Sequence, residues 1–345
     1  MRTIAACAAA RVSLAGGGTD LPGFADRFGG AVVSFTIDRY AGVRITPKQD
    51  GLELVSLDAG TRESIPSGSV ARRLRRPILA EEHLLFPKAL AALHRLERGR
   101  IEVTSTVPIG AGLASSGSLA VALASAVRAY VGESPDAWAV AEDAFHAETA
   151  LLGRPVGRQD QYASAFGGLN LIEFAPGGAR VTPMQTDLAA LSARLMLFSD
   201  GARRDAAVPL GEQHARIEAD DEDALMTLRW LTSAAHEMRR LIEADDFDSA
   251  GALLDETWKR KRSLAHAISN PRIEAAYETA RDAGALGSKL CGAGRSGTFL
   301  AWCSASTRDE VREAMHTQGW HEMPFTLSTR GVRCDIITAG EEAGG

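Results

Sequence analysis

A glycine- and serine-rich segment, Pro108–Ser118, has the composition of a loop that binds phosphate. It contains three glycines and the pair Ser115 and Ser116, and a run of small residues that suits a helix follows at once. Glycines let backbone N–H groups approach an anion closely, and the N-terminus of a helix adds donors and a positive dipole end. The segment therefore predicts a phosphate-binding turn, for which a plain glycine-rich turn with a serine N-cap is the alternative. It contains neither GxxxxGK[ST] nor GxGxxG, which disfavours a Walker A loop and a Rossmann dinucleotide site.

Two carboxylates follow this segment along the chain. Glu148 stands near the end of a predicted helix, and Asp160 stands in a predicted turn twelve residues later. Transfer of a phosphoryl group to a hydroxyl requires a carboxylate near the acceptor, together with a metal ion and cations near the phosphates. The two residues are candidates for these tasks. A solvated helix face for Glu148 and a turn-forming role for Asp160 are the alternatives.

Three segments resemble the signature motifs of the galactokinase, homoserine, mevalonate and phosphomevalonate (GHMP) kinase superfamily. Arg11–Asp20 resembles the first motif, Pro108–Ser118 the second and Lys289–Gly297 the third. They occur in the expected order and at about the expected separations. Joint occurrence by chance is improbable, so the chain is identified as a member of this superfamily.

The resemblance implies a site that binds ATP and Mg²⁺. Ser116 and Glu148 would bind the metal, Asp160 would orient or deprotonate a sugar hydroxyl, and Arg11 would stabilise the nucleophile and the developing charge. The residues implied for nucleotide binding are Pro108, Gly110, Ala111, Gly112, Leu113, Ser115, Ser116, Gly117, Ser118 and Gly294.

Longer stretches resemble the bacterial D-glycero-D-manno-heptose 7-phosphate kinases. They cover residues 16–30, 157–174 and 258–294. Enzymes of that family phosphorylate the anomeric hydroxyl of the heptose 7-phosphate to give the 1,7-bisphosphate. The resemblance therefore implies a small-molecule sugar phosphate as substrate, with Asp20 accepting hydrogen bonds from its hydroxyls. The residues predicted to bind the substrate are Gly17, Gly18, Thr19, Asp20, Arg158, Gln161, Arg204, Lys261 and Gly292.

Other interpretations of the substrate stay open. Another sugar such as fucose, phosphorylated at its anomeric position, is one, and a catalytically inactive relative that binds a ligand or a partner is another. For residues 258–262, a solvated basic helix face is the alternative to phosphate binding. The chain also departs from the heptose kinase pattern at Arg158, where lysine is usual, and at Arg295 and Ser296, where glycines are usual. A glycine lost from a position of positive φ would force the third motif into a shifted conformation.

Composition excludes several classes of protein. The chain has 345 residues and a formal net charge of −6, which argues against a broad nucleic-acid-binding surface. Its four cysteines form no CxxC pair, so reduced thiols are expected rather than a disulfide framework or a zinc site. Arg11 interrupts the alanine-rich N-terminal stretch, and no apolar run reaches the ~20 residues of a membrane span. We expect a cytoplasmic protein that does not bind membranes, and the sequence leaves a homo-oligomer open.

The pattern of strand-like and helical segments that must position these residues predicts an α+β fold. Strand-like segments fill residues 30–56, helical segments dominate residues 207–284, and strand character returns near residues 297–303 and 331–337. The resemblance implies a two-lobed GHMP kinase fold with its active site in the cleft between the lobes. The N-terminal lobe would have a mixed sheet with helices, and the C-terminal lobe would be ferredoxin-like with extra helices. We expect an ATP-binding N-terminal domain over residues 1–185 and a C-terminal domain over residues 186–345.

Overall fold

The structure is a computed structural model that describes residues 2–71, 84–107, 110–201, 207–295 and 297–337. Within these residues the chain forms two β-sheets and a set of α-helices, the α+β architecture that the sequence predicts. None of the described helices combines the length and the apolar character that crossing a membrane requires.

The larger sheet is mixed and contains nine strands. Its strands are β1 (Thr3–Ala15), β2 (Gly30–Thr46), β3 (Leu52–Ser56), β4 (Thr61–Ile65), β5 (Gly99–Ser105), β6 (Leu169–Ala175), β7 (Gly178–Pro183), β12 (Leu327–Ser328) and β13 (Arg333–Ile337). The main order is β13-β1-β2-β5-β3-β4, and β2 also pairs with β6 and β12. Only β3 and β5 pair in parallel among the described strands. The pairing of β13 with β1 returns the end of the chain to the first sheet, beyond the predicted boundary at residues 185 and 186.

The smaller sheet has four antiparallel strands in the order β11-β8-β10-β9. The strands are β8 (Leu195–Ser199), β9 (Gly287–Leu290), β10 (Thr298–Trp302) and β11 (His321–Glu322). Numbered within this lobe, the order is 4-1-3-2 with helices after the first and third strands, which is the ferredoxin-like arrangement. The prediction of a ferredoxin-like C-terminal lobe is therefore confirmed.

The helices surround both sheets. Their bounds are α1 (Pro22–Phe28), α2 (Leu85–Leu93), α3 (Ser115–Val131), α4 (Ala137–His146), α5 (Gln159–Phe166), α6 (Leu188–Arg194), α7 (Ala207–Glu218), α8 (Glu222–Glu243), α9 (Phe247–Lys261), α10 (Pro271–Asp282) and α11 (Arg308–Thr317). A π-helical turn, Ala147–Leu151, continues α4, and a short 3₁₀ helix, His266–Ile268, precedes α10.

One apolar cluster joins the two lobes. It contains Val12 and Phe35 of the larger sheet, Leu197 and Leu300 of the smaller sheet, and Met238 of α8. The neighbouring residues of β8 and β10 face a separate cluster on the other side of the smaller sheet, as the two-residue period of a strand requires. Because one core includes both sheets, the lobes pack as one body around the space between the sequence motifs.

Candidate active site

The last four residues of the second motif form the first turn of α3, and this helix has an uncapped N-terminus. Gly110 and Gly112 adopt φ angles of 75° and 79°, and Ala114 is left-handed with φ 62°. No side chain caps the helix at Ala114, and its first turn contains no acidic residue. Such a terminus offers backbone N–H groups and a positive dipole end to an anion. The described part of the loop therefore has the features predicted for phosphate binding.

Asp160 lies directly against this helix terminus. It belongs to the first turn of α5, not to the isolated turn that the sequence suggests. A Cβ atom on Gly117 would lie only 2.7 Å from the Cβ of Asp160. The absence of a side chain at position 117 thus allows the carboxylate and the helix terminus to share one site.

Arg11 of β1 binds both Asp160 and the glycine loop. Its Nε and Nη2 lie 2.8 and 2.5 Å from Oδ1 of Asp160, and its Nη1 donates to the carbonyl oxygen of Gly112 at 2.8 Å. Arg11 is only 3% exposed, whereas the side chain of Asp160 is 28% exposed. The guanidinium therefore fixes the carboxylate from behind and leaves part of it open to the cleft.

Asp20, at the end of the first motif, lies beside Asp160 in the wall of the same cleft. Its oxygens accept hydrogen bonds from the backbone N–H groups of Gly18 at 3.0 Å and Gln159 at 3.1 Å. Burial raises the pKa of Asp20 and the nearby charge of Asp160 adds to the increase, while these hydrogen bonds oppose it. A Cβ on Gly157 would lie 1.9 Å from Oδ2 of Asp20, so glycine is required there for this approach.

Glu148 is almost completely enclosed, with 1% exposure, on the π-helical turn. One of its oxygens accepts a hydrogen bond from Nε2 of Gln161 at 2.8 Å, and the other lies 3.7 Å from Nη1 of Arg154. Burial, opposed by Arg154 and reinforced by Asp160, raises the pKa of Glu148 to about 7. The nearby hydroxyl of Ser116 favours the charged form of the carboxylate and so acts to lower its pKa. π-Helical turns of this kind are frequent at functional sites.

The third motif closes the site from the second lobe. The amide of Thr298 donates to the carbonyl oxygen of Ala111 at 2.8 Å, which ties β10 to the phosphate loop. Lys261 of α9 donates to the carbonyl oxygen of Gly292 at 3.2 Å, and Lys289 donates to that of Ser13 at 2.9 Å. Burial, together with the charges of Lys261 and Arg11, lowers the pKa of Lys289 to about 7.

Arg295 stands where glycine is usual in this motif, and it adopts the left-handed backbone conformation that favours glycine. Its φ of 72° is left-handed, which costs a residue with a side chain roughly 1–2 kcal/mol. Its amide donates to Ile268 at 3.0 Å, and its carbonyl accepts from Asn270 at 2.7 Å. These bonds hold the strained turn, and the arginine side chain is exposed.

A cleft of about 550 Å³ connects these groups. Of the predicted residues, those that line it are Arg11, Gly18, Asp20, Gly110, Gly112, Ser115, Ser116, Glu148, Asp160, Lys261 and Gly292. The structure thus brings residues of all three motifs together with Glu148, Asp160 and Lys261 in one cleft.

Several predicted residues lie behind the cleft. Thr19 is fully buried and its hydroxyl bonds to Gly16 and Ala31, so it supports the glycine loop. The side chain of Arg158 contacts Asp26 and the ring of Phe145, and its direction does not support a role in binding the substrate. The predicted residues that do not line the cleft are Gly17, Thr19, Ala111, Leu113, Gly117, Ser118, Arg158, Gln161 and Gly294. Pro108 and Arg204 fall outside the described residues.

The structure also adds residues that no motif indicated. Beyond the α3 terminus the cleft continues along Ser56, Asp58, Phe86, Thr104 and Ser105. Asp58 is held there by the Thr104 hydroxyl at 3.1 Å and the Ser105 amide at 2.6 Å. At the opposite end, the wall includes the additional residues Ser13, Gln159 and Gln213.

The oxygen groups near Glu148 suit a magnesium ion that is shared with a nucleotide. Mg²⁺ is usually bound through one or two carboxylates together with substrate phosphates and water. Ser116 and Glu148 both line the cleft beside the phosphate loop, and the hydroxyl is near enough to lower the pKa of the carboxylate. The described residues contain no group of three or more His, Cys, Asp or Glu side chains that could hold a metal without such a ligand. Ser116 and Glu148 therefore fit Mg²⁺ bound with ATP.

Comparison with known proteins identifies the family. The family model for the GHMP kinases N terminal domain matches residues 84–168, and the model for the GHMP kinases C terminal matches residues 238–321. The D-glycero-alpha-D-manno-heptose 7-phosphate kinase of Campylobacter jejuni is 26% identical over 344 residues, covering 96% of this chain and 99% of that protein. A galactokinase of Mycobacterium tuberculosis is 31% identical over 264 residues, covering 66% of this chain and 72% of the galactokinase.

Solved structures agree with this fold. A D-glycero-D-manno-heptose 1-phosphate kinase from Bacteriodes thetaiotaomicron superposes with a TM-score of 0.76 at 23% identity, covering 97% of this chain and all of that one. A putative sugar kinase from Campylobacter jejuni gives a TM-score of 0.73 at 25% identity, covering 98% and 99%. GHMP kinases use ATP, generally with Mg²⁺. The chain therefore belongs to the GHMP kinase family and is a sugar kinase, a phosphotransferase with an alcohol group as acceptor.

Proposed function

We propose that this kinase transfers the γ-phosphoryl group of ATP to the anomeric hydroxyl of a heptose 7-phosphate, either the D-glycero-D-manno sugar or a stereoisomer, and forms the 1,7-bisphosphate. The observation that carries the proposal is the contact between Gly117 and Asp160, which sets a carboxylate beside an uncapped helix terminus in one cleft. The relative named as a heptose 7-phosphate kinase, which aligns over 96% of this chain, supports the choice of sugar.

The chain's own groups divide the task between the two ends of the cleft. The amides at the start of α3 and the glycine loop hold the triphosphate, and the part lined by Ser56 and Phe86 accommodates the rest of the nucleotide. Ser116 and Glu148 hold the Mg²⁺, which when bound neutralises the charge of the phosphate oxygens.

Asp160 accepts the proton of the acceptor hydroxyl or orients that hydroxyl towards the phosphorus. Arg11 keeps the carboxylate in position and, through its positive charge, stabilises the anionic oxygen as the bond to phosphorus forms. Asp20 accepts hydrogen bonds from sugar hydroxyls. A buried carboxylate in this position would disfavour analogues that lack those hydroxyls, since the acceptor positions not used by the amides of Gly18 and Gln159 would be left without a donor.

A panel of acceptors tests the proposed substrate. The names of the two heptose relatives place the existing phosphate differently, so the panel should contain the heptose 7-phosphate and 1-phosphate, fucose and galactose. With ATP and Mg²⁺, we expect the heptose 7-phosphate to give the highest kcat/KM, and ³¹P NMR should identify a new phosphate on the anomeric oxygen. Faster turnover of an unphosphorylated sugar would contradict the proposal. Absence of turnover with every acceptor would favour the inactive relative.

Lys261→Ala should raise KM for the sugar phosphate by ~10–100-fold and change KM for ATP less than twofold. Lys261 lines the cleft, and its Nζ would lie 3.0 Å from a Cβ on Gly17, beside the substrate-binding loop. A hydrogen bond between a charged donor and a phosphate contributes ~1.5–3 kcal/mol, and tenfold in affinity corresponds to ~1.4 kcal/mol. Steady-state kinetics with each substrate varied in turn measures the two KM values separately.

Lys259→Ala is the matched control. Lys259 lies on the same helix, but its side chain is 46% exposed and its Nζ forms an ion pair with Asp255 at 2.7 Å. We expect it to leave both KM values unchanged. Equal increases for sugar and ATP in the Lys261→Ala enzyme would contradict a role in binding the sugar phosphate.

A further inference from the structure

We infer that Ser13, Gln159 and Gln213, here called the polar wall, recognise hydroxyl groups of the acceptor sugar, with Gln213 as the main determinant of specificity. The inference rests on the proposed function, since it assigns the acceptor to the end of the cleft that these residues line. All three side chains are at least nine-tenths buried, at 3%, 6% and 3% exposure respectively.

Each residue of the polar wall has a buried oxygen that lacks a partner. Within the described part of the chain, no group makes a hydrogen bond to Oγ of Ser13, Oε1 of Gln159 or Oε1 of Gln213. Buried polar atoms in proteins are nearly always satisfied, and exceptions call for an explanation. Three such atoms on one wall of a substrate cleft are explained if the ligand completes their hydrogen bonds.

The orientation of Gln213 determines what it can recognise. Its Nε2 donates to the carbonyl oxygen of Pro209 at 3.2 Å, so the amide oxygen is the atom directed towards the first motif. There it faces Gly18, whose Cβ, if present, would lie 3.1 Å from it. Oε1 can only accept a hydrogen bond, and the groups on a sugar that donate are its hydroxyls.

The acceptor oxygen of Gln213 and the carboxylate of Asp20 lie on either side of Gly18. The amide of Gly18 donates to Oδ1 of Asp20, and Gly18 separates this carboxylate from Gln213. Gln159 links the same region to the reacting centre, since its backbone amide donates to Oδ2 of Asp20 and its Nε2 lies 3.4 Å from Oδ1 of Asp160. Two acceptors on either side of a bare glycine suit two hydroxyls of one polyhydroxylated acceptor, held while another of its hydroxyls faces Asp160.

Kinetics of Gln213→Met and Gln213→Glu test the inference. Methionine has a similar length but no strong acceptor, so we expect KM for the preferred sugar to rise by ~10–100-fold with KM for ATP within twofold. Glutamate keeps an acceptor oxygen but cannot donate to the carbonyl oxygen of Pro209, so it should restore the affinity only in part. A set of monodeoxy analogues gives a second readout, because the parent should reject one analogue strongly while the Met variant should use it and the full sugar about equally well.

Thermal unfolding separates this role from a structural one. Methionine removes an unsatisfied buried acceptor, which offsets the loss of the hydrogen bond from Nε2 to Pro209, so Tm in the absence of ligand should change little even though sugar binding weakens. Gln318→Met, at an exposed position, is the control and should change neither quantity.

The possible outcomes separate this inference from the proposed substrate. If the parent prefers a sugar other than the heptose 7-phosphate and Gln213→Met raises KM for that sugar, the heptose proposal fails and the role of Gln213 stands. If the parent prefers the heptose 7-phosphate and the Met variant keeps its KM and its discrimination against deoxy analogues, the role of Gln213 is overturned. A fall in Tm with equal changes of both KM values would also overturn it, and a parent enzyme that phosphorylates no sugar would overturn both.

Discussion

Asp160→Asn is expected to lower kcat by ~10³-fold, because the variant can no longer accept a proton from the sugar hydroxyl. Asparagine keeps nearly the same shape against Gly117 and can still accept a hydrogen bond from Arg11, so the loss should reside in the chemical step. Affinity for a non-hydrolysable ATP analogue should change little. Single-turnover measurements with saturating sugar and ATP would report the chemical step directly.

The same substitution removes the negative charge beside Arg11, which is buried in the core of the site. Because the Asp160 side chain is partly exposed, we expect a moderate fall of roughly 1–3 kcal/mol in the free energy of unfolding. Asp26→Asn is a suitable control, since Asp26 also pairs with an arginine, Arg158, at 3.3 Å but outside the cleft. An Asp160→Asn enzyme that retains more than a tenth of the parent kcat would contradict the assignment of the base.

The phosphate loop could be predicted from sequence because its chemistry is local, whereas the roles of Glu148 and Asp160 came from the family resemblance. Glycines, paired serines and a following helix indicate an anion site wherever they occur together, and the structure places α3 over Ser115–Val131, close to the predicted helix. The third motif was recognisable only by its resemblance to the family pattern. Its geometry was not, since only the structure shows that Arg295 accepts a left-handed backbone conformation.

Strand β1 shows where local reasoning failed. Its sequence, TIAACAAARVSLA, is rich in alanine, which has low strand propensity, yet it forms a central strand between β13 and β2. From Ala8 to Ala15 every residue is buried, so both faces of the strand are packed and small side chains fit. This packing comes mainly from β2 and from helix α3, which lie further along the chain and outside a local sequence window.

Side-chain direction was the second unpredictable quantity. The basic character of Arg158 suggested phosphate binding, but its guanidinium turns to Asp26 and Phe145, which are brought near only by the fold. Gln213 presented the opposite problem, because a glutamine within a helix carries no motif. Its importance depends on an unsatisfied oxygen that faces Gly18 from another lobe.

Glu148→Gln is expected to have opposite effects on activity and stability. Loss of the carboxylate removes the charged oxygen donor beside Ser116, so the Mg²⁺ concentration for half-maximal activity should rise by at least ~10–100-fold. Titration of activity with Mg²⁺ at fixed ATP measures this effect. Glu256→Gln, which changes an exposed carboxylate paired with Arg260, should leave the Mg²⁺ dependence unaltered.

The stability effect follows from the pKa of Glu148, which is about 7 in the folded protein against an ordinary value of 4.5. Between these pH values the folded state binds the proton that the unfolded state has released, so stability falls as the pH rises and the full penalty is present above pH 7. A shift of this size corresponds to ~3 kcal/mol, which glutamine avoids because it carries no charge at any pH. In metal-free buffer, urea unfolding should therefore show Glu148→Gln to be more stable than the parent by up to ~3 kcal/mol at pH 8, with the difference vanishing as the pH approaches 4.5. A variant that is less stable at pH 8, by an amount independent of pH, would show that the buried carboxylate stabilises the fold instead of being held there for the metal.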